Sequence, residues 1–228
     1  MRCDVRRREE RAALVLEATD CFGRIDVLVN NAGVGYLGAV VDMTAEDVER
    51  VVATNLTALI DLTRLVLPGM LQRHDGDVLM VSSAAAWVSL PPLTVYAASK
   101  RAVDGFVEGL RREVGPQGIR IHSVNPGPVA TEFHARALRL RPREGEPGLR
   151  PGVGVGPERV ARRAVRELRS GRGRTVAVPR ALGPARLLGV PPVAHVADFG
   201  IRSVAGRLAR LGRTTAVERA PTARRDRP

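Results

Sequence analysis

Short β-branched runs alternate with helix-length amphipathic segments over the first 180 residues, and few folds accept that rhythm. Residues 25–29 (IDVLV), 77–81 (DVLMV), 119–124 (IRIHSV) and 175–178 (TVAV) are apolar runs of strand length bounded by turn residues. Residues 8–22 predict an amphipathic helix ended by Gly23, with Ala13, Leu14, Leu16, Ala18 and Phe22 among its charges. A glycine-rich loop is expected from Gly33 to Gly38. Thr44 then caps a long helix, with Asp47 three residues on as a capping-box variant. That helix runs to about Arg73 and turns Val51, Val52, Leu59, Leu62, Val66 and Met70 inward. Further helices are expected at about 95–114, before Gly115-Pro116, and from Pro157 to Gly171. Strands and helices in this order imply βαβ crossovers and a parallel sheet covered on both faces. Such sheets bind ligands beyond the carboxyl ends of their strands. Asn30-Asn31, Ser82-Ser83 and Asn125-Pro126-Gly127 fall there.

A length of 228 residues suits one domain with a real core. No run of 18 apolar residues is present, and the first residues, MRCDVR, hold no apolar stretch of a secretory signal. Cys3 and Cys21 have no metal or redox spacing, which leads to an expectation of reduced thiols and a cytoplasmic location. The four histidines have no ligand spacing, so no metal is expected. The net charge of +12 is unevenly spread. Residues 1–135 hold 14 basic and 17 acidic side chains, a balance of −3, and residues 136–228 hold 22 and 7, a balance of +15. A solvated arginine-rich surface explains this asymmetry, and no nucleic-acid module or aromatic platform accompanies it. Contact of the basic C-terminal part with an anionic membrane is the alternative. Three stretches are expected: a main domain at 1–180, a helical extension at 181–212 around Pro191-Pro192, and a disordered basic tail at 213–228.

Two residue types are used with unusual economy. The chain has 35 arginines and one lysine, Lys100. Where any cation would serve, this sequence writes Arg, so a lone Lys points to a crowded place that a compact ammonium fits and a planar guanidinium does not. Chance placement is the alternative, weakened by the tyrosine four residues earlier. The four asparagines are Asn30, Asn31, Asn55 and Asn125. Three sit at strand ends, where turn chemistry alone would also favour them. Asn55 sits inside an expected helix, against its propensity; it is either functional or a satisfied amide on the helix surface.

Tyr96 and Lys100, at i and i+4, share a helix face. A free tyrosine has a pKa near 10. A cation at roughly 4 Å, with an effective dielectric near 20, contributes about 4 kcal/mol, enough to lower that pKa by roughly three. The phenol would then exchange a proton with an alcohol or carbonyl oxygen. Ser82 or Ser83 would hold that oxygen; successive strand residues point oppositely, so only one should face it.

The set Asn30-Asn31-Ala32-Gly33, Asn55, Ser83, Tyr96-Ala97-Ala98-Ser99-Lys100 and Pro126-Gly127-Pro128-Val129-Ala130-Thr131 resembles the short-chain dehydrogenase/reductase family in order and spacing, over residues 3 to 180. The resemblance implies an α/β fold, a Rossmann-like doubly wound parallel sheet, and hydride transfer between a nicotinamide cofactor and an alcohol or ketone. It implies that Tyr96 is the general acid/base and that Lys100 lowers its pKa and holds the nicotinamide ribose. It also implies that Ser83 binds the substrate oxygen and that Asn55 supports a water linking Lys100 to solvent. For the cofactor it implies Asp4 and Val5 near adenine, Asn31, Ala32 and Gly33 on the adenosine side, and Pro126, Gly127, Val129 and Thr131 at the nicotinamide end, with Tyr96 and Lys100. NAD or NADP would serve, with NADP favoured, and a homodimer or homotetramer is expected.

The family's first strands and Thr-Gly-x-x-x-Gly-x-Gly turn have no counterpart in this sequence, which starts at what resembles the third strand. Either the start is misassigned within a longer gene, or the chain is a truncated, non-catalytic fragment or scaffold subunit. Gly33-Val34-Gly35-Tyr36-Leu37-Gly38 matches G-x-G-x-x-G literally but does not open directly into a helix, so it is not read as a phosphate loop. Substrate identity is not written in the motifs. Residues 84–93 and 133–150 would shape the pocket, with Trp87, Leu90, Leu93 and Phe133 as apolar lining or core.

Overall fold

The computed structural model describes residues 2–133, 137–139 and 154–189. Its centre is a four-stranded parallel sheet in the order β1-β3-β4-β6, formed by Val27–Asn30, Gly76–Val81, Ile119–Pro126 and Thr175–Val178. Every pairing is parallel, with Val27 opposite Asp77, Gly76 opposite Ile119 and Ser123 opposite Thr175. The β-branched runs occupy these strands because their side chains pack well on a pleated surface.

Helices cover both faces. On one, α3 (Ala58–Gln72) and α4 (Thr94–Val114) bury Leu59, Val66, Met70, Val103 and Val107 against Val78, Met80 and Ile121. On the other, α5 (Pro157–Ser170) sets Val160, Ala164 and Leu168 against Leu79, Val124 and Val176. Pro157 opens α5, and Gly171 closes it at φ 61°, a left-handed turn that suits glycine.

The expected helix from Thr44 is present but not uniform. It comprises α2 (Ala45–Val52), a π-helical turn (Ala53–Thr57) and then α3. The capping box is complete: Thr44 Oγ1 accepts from the Asp47 amide at 3.1 Å, and Asp47 Oδ2 accepts from the Thr44 amide at 3.4 Å. Ala45–Gln72 is long and apolar enough to cross a bilayer, yet Val51, Leu59, Leu62, Val66 and Met70 lie in the core. Val52, expected inward, is exposed.

The first helix, α1 (Arg8–Phe22), ends at Gly23 as expected but is only partly amphipathic. Leu14 and Ala18 turn toward β1 and α3, whereas Leu16 and Phe22 stand in solvent. Its anchor is polar: buried Arg11 donates to Asp61 Oδ2 and to the Val5 carbonyl, both at 2.7 Å. Within the expected glycine-rich loop, Tyr36–Leu37 forms a short strand, β2, paired in parallel with β5 (Leu138–Arg139). Residues 180–189 form a 3₁₀ helix; the rest of the expected extension and the basic tail lie outside the described residues.

Candidate active site

The site gathers at the carboxyl ends of β1, β3 and β4, beside the first two turns of α4. Tyr96 is 8% and Lys100 4% exposed, on one face of that helix. Lys100 Nζ donates to the Val81 carbonyl at 2.9 Å, and its ammonium stands 6.0 Å from the centre of the Tyr96 ring. Burial pushes the Tyr96 phenol above its ordinary pKa, and the Ser83 hydroxyl pulls it back. Burial lowers the Lys100 ammonium to about 8, opposed by the negative charge of Asp104. For Lys100 to lower the Tyr96 pKa, its ammonium must stand nearer the phenol than it does in this arrangement. The cation faces a strand carbonyl rather than the phenol, and desolvation dominates both groups.

The two serines diverge, as the pleat requires. Ser82 is buried and donates to the Lys100 carbonyl at 3.2 Å. Ser83 is half-buried beside Tyr96, and its Oγ accepts from the Ala85 amide at 3.1 Å, capping the short 3₁₀ turn Ala84–Ala86.

Asn55 is not a surface amide. It is fully buried in the π-helical turn. Its Oδ1 accepts from the Val34 amide at 2.8 Å, and its Nδ2 donates to the Val34 carbonyl at 2.9 Å and to Ser99 Oγ at 3.0 Å. It thus staples the loop after β1 to α4. Gly33 lies in that loop; a Cβ built there would stand 3.4 Å from Asn55 Oδ1 and 3.5 Å from Lys100 Nζ.

Five of the residues expected at a cofactor line two cavities. One, of about 640 Å³, is lined by Gly33, Val34, Gly35, Arg50, Thr131 and Phe133. The Phe133 ring lies 5.7 Å from that of Tyr96, so one lining residue of this cavity is packed against the Tyr96 ring. The other, of about 280 Å³, is apolar; Val5, Asn31 and Ala32 line it together with residues of α1, β1 and α3. The Asp4 carboxylate is bound by Arg6 at 2.6 Å, which holds its pKa well below the usual range. Pro126 is buried at the end of β4. The Gly127 amide donates to the Val178 carbonyl, and a Cβ there would meet Leu182 at 2.6 Å. Val129 bridges to Val155. These three shape the loop that delivers Thr131 to the larger cavity.

Sequence reasoning missed Asp104. Its carboxylate accepts from Asn125 Nδ2 at 2.9 and 3.1 Å and from Trp87 Nε1 at 2.9 Å. The signal was available: 96, 100 and 104 continue one helical face.

Among the described residues, no cluster of His, Cys, Asp and Glu could hold a metal.

A family model described as short chain dehydrogenase matches residues 1–140. Dehydrogenase/reductase SDR family member 7B of Bos taurus is 39% identical over 127 residues, 56% of this chain and 39% of that protein. Oxidoreductase UcpA of Salmonella typhimurium is 40% identical over 132 residues, 58% of this chain and 50% of that protein. The chain thus spans half or less of the length of these two relatives. A short-chain dehydrogenase from Streptomyces avermitilis shares the fold, with a TM-score of 0.71 over 95% of this chain and 80% of that one, at 24% identity. ElxO with NADP bound superposes with a TM-score of 0.56 and 29% identity over 58% of this chain and 54% of that one. The family model covers more than half of the chain and includes the Tyr96–Lys100 helix, so the protein belongs to the short-chain dehydrogenase/reductase family.

Proposed function

We propose that the chain carries the proton-transfer half of a nicotinamide-dependent oxidoreductase that interconverts an alcohol and a carbonyl compound. The observation that carries this reading is the placement of Tyr96 beside Ser83 and on one helix face with Lys100, with Gly33 laid against the ammonium. Gly33 and Thr131 line the larger cavity, and no side chain at Gly33 obstructs Lys100. These residues fit the nicotinamide–ribose end of NAD or NADP. Lys100 would hold the ribose hydroxyls, Thr131 the nicotinamide end, and Asn31, Ala32 and Val5 the adenosine side. That a family member of similar fold binds NADP favours NADP. When bound, the nicotinamide supplies or accepts the hydride.

The chain's own residues manage the proton. In the reducing direction, Ser83 donates a hydrogen bond to the carbonyl oxygen, and the Tyr96 phenol delivers its proton to that oxygen as charge develops on it. In the oxidising direction, the tyrosinate takes the alcohol proton back. A positive Lys100 favours the tyrosinate once its ammonium swings from the Val81 carbonyl toward the phenol. Asn55 holds the loop under which a water would link Lys100 to solvent. A cytoplasmic homodimer or homotetramer is the setting we propose.

Replacing Tyr96 with Phe is expected to lower turnover of secondary alcohols or ketones, assayed with NADPH and NADH, by about 10²- to 10⁴-fold. Unchanged turnover would overturn the acid/base assignment. A second reading, a non-catalytic family member, draws on the apolar cavity left open beside Asn31 and Ala32. Calorimetric titration of the 228-residue chain with NADPH and NADH separates the two, since tight binding excludes it.

A further inference from the structure

Asp104 is a half-buried carboxylate with no part in the proton transfer. It lies one turn beyond Lys100 on α4, and its neighbours come from three other parts of the site. Asn125, at the end of β4, gives both carboxylate oxygens its Nδ2. The Oδ1 of that same amide accepts from Ser123 Oγ at 2.9 Å, which fixes its orientation. Trp87, in the loop after β3, donates its indole N–H. Ser82 lies against the carboxylate from the end of β3. Asn125 also donates to the Ser83 carbonyl at 3.2 Å. Asn125 and Trp87 both donate to the carboxylate, the environment of an ionised group rather than a carboxylic acid.

We propose that Asp104 is a positioning residue: its carboxylate is the countercharge of the buried Lys100 ammonium and, through Asn125, fixes the backbone of Ser83. The proposal rests on the functional reading above for its purpose, but the electrostatic coupling stands apart from turnover. Lys100 is desolvated, and Asp104 is the charge that opposes its neutralisation. Burial raises the Asp104 carboxyl above its ordinary range, while Ser82, Asn125, Trp87 and the charge of Arg186 hold it down. The remaining ionisable groups around the pair are few. Tyr96 lies on the same helix. Arg186, from the 3₁₀ segment, is paired with Glu108 at 2.7 Å, and Arg111 lies two turns on along α4. From β3, the Lys100 ammonium meets the neutral Val81 carbonyl.

The composition supplies the probe. Lys100 is the only lysine, so the full chain grown with ¹⁵N-labelled lysine gives a single side-chain resonance. Its titration midpoint is expected at about 8. In Asp104→Asn, whose Oδ1 keeps one acceptor in place, or in Asp104→Ser, the midpoint is expected to fall by about one pH unit. Trp87→Phe removes a hydrogen bond but no charge and should leave the midpoint in place. An unchanged midpoint in either neutral variant with native circular dichroism overturns the proposal, as does an equal fall in Trp87→Phe. The unmutated chain provides a check that needs no variant. Its Lys100 resonance should show a second inflection in the acid range as Asp104 protonates, and a single inflection also overturns the proposal. Failure of the functional reading is seen elsewhere, as unchanged turnover in Tyr96→Phe.

Discussion

The burial of Lys100 makes the site a source of pH-dependent stability as well as of reactivity. An exposed lysine titrates near 10.5; desolvation in the fold brings Lys100 to about 8. Between those values the unfolded chain binds a proton that the folded chain does not, so stability rises with pH across that window and is lower by the same amount at pH 8 and below. The gap corresponds to about 3 kcal/mol. Replacing Lys100 with Met is expected to abolish this rise and to stabilise the chain at neutral pH, as measured by urea unfolding between pH 7 and 10. A parallel rise in the variant would show that the increment belongs to other groups. The identity of this residue was legible without its neighbours, because one lysine among 35 arginines marks a position where size matters. Its partner in charge was not. Asp104 is one of many acidic side chains in the first 135 residues, and only the fold shows that Asn125 and Trp87 converge on it. Asn55 was legible as an exception to helix propensity, but its burial was not, since the groups it satisfies belong to Val34 and Ser99.

At the scale of elements, strands and long helices followed from period and punctuation, and departures from regularity did not. The capping box at Thr44 is wholly local, so three residues specify it. Thr44→Ala is expected to cost about 1 kcal/mol in urea unfolding and to leave the Lys100 midpoint unchanged, because about three helical turns separate the cap from Asn55. A loss near zero would mean that neighbouring packing alone holds α2. The π-helical turn at Ala53–Thr57 had a local sign only in its poor helix formers, Thr54, Asn55 and Thr57, which do not by themselves specify a wider turn. The buried Asn55 amide it carries is bound to a distant loop. The partial amphipathicity of α1 has a similar cause. The helix is held by the Arg11–Asp61 ion pair as much as by apolar packing, and a hydrophobic pattern does not register a buried arginine.

For the molecule as a whole, the parallel sheet was readable from the order of strands and helices, and exposed apolar surface on that sheet was an expectation of the sequence too. β1 pairs with β3 on one side, and among the described residues no strand pairs with its other edge. Val27 and Val29 are 43% and 51% exposed, and the apolar cavity of about 280 Å³ opens beside them. An apolar edge strand of this kind presents unpaired backbone groups and a sticky face together, a combination that favours self-association. Val29→Lys places a charge on that face without entering a core cluster, since Val29 belongs to none of the three. The variant is expected to bind less of an apolar-surface dye and to sediment with a smaller concentration-dependent increase in mass than the parent, at equal stability within about 0.5 kcal/mol. The comparison works because the two effects of β1 can be separated. Lysine blocks edge pairing by charge, whereas Val29→Ala shrinks the apolar face and leaves the edge free. Reduced association in Val29→Lys alone would assign it to the strand edge, and equal reduction in both would assign it to the apolar face. Association unchanged in both variants would mean that β1 is covered in solution and that the exposed valines are not what drives one copy toward another.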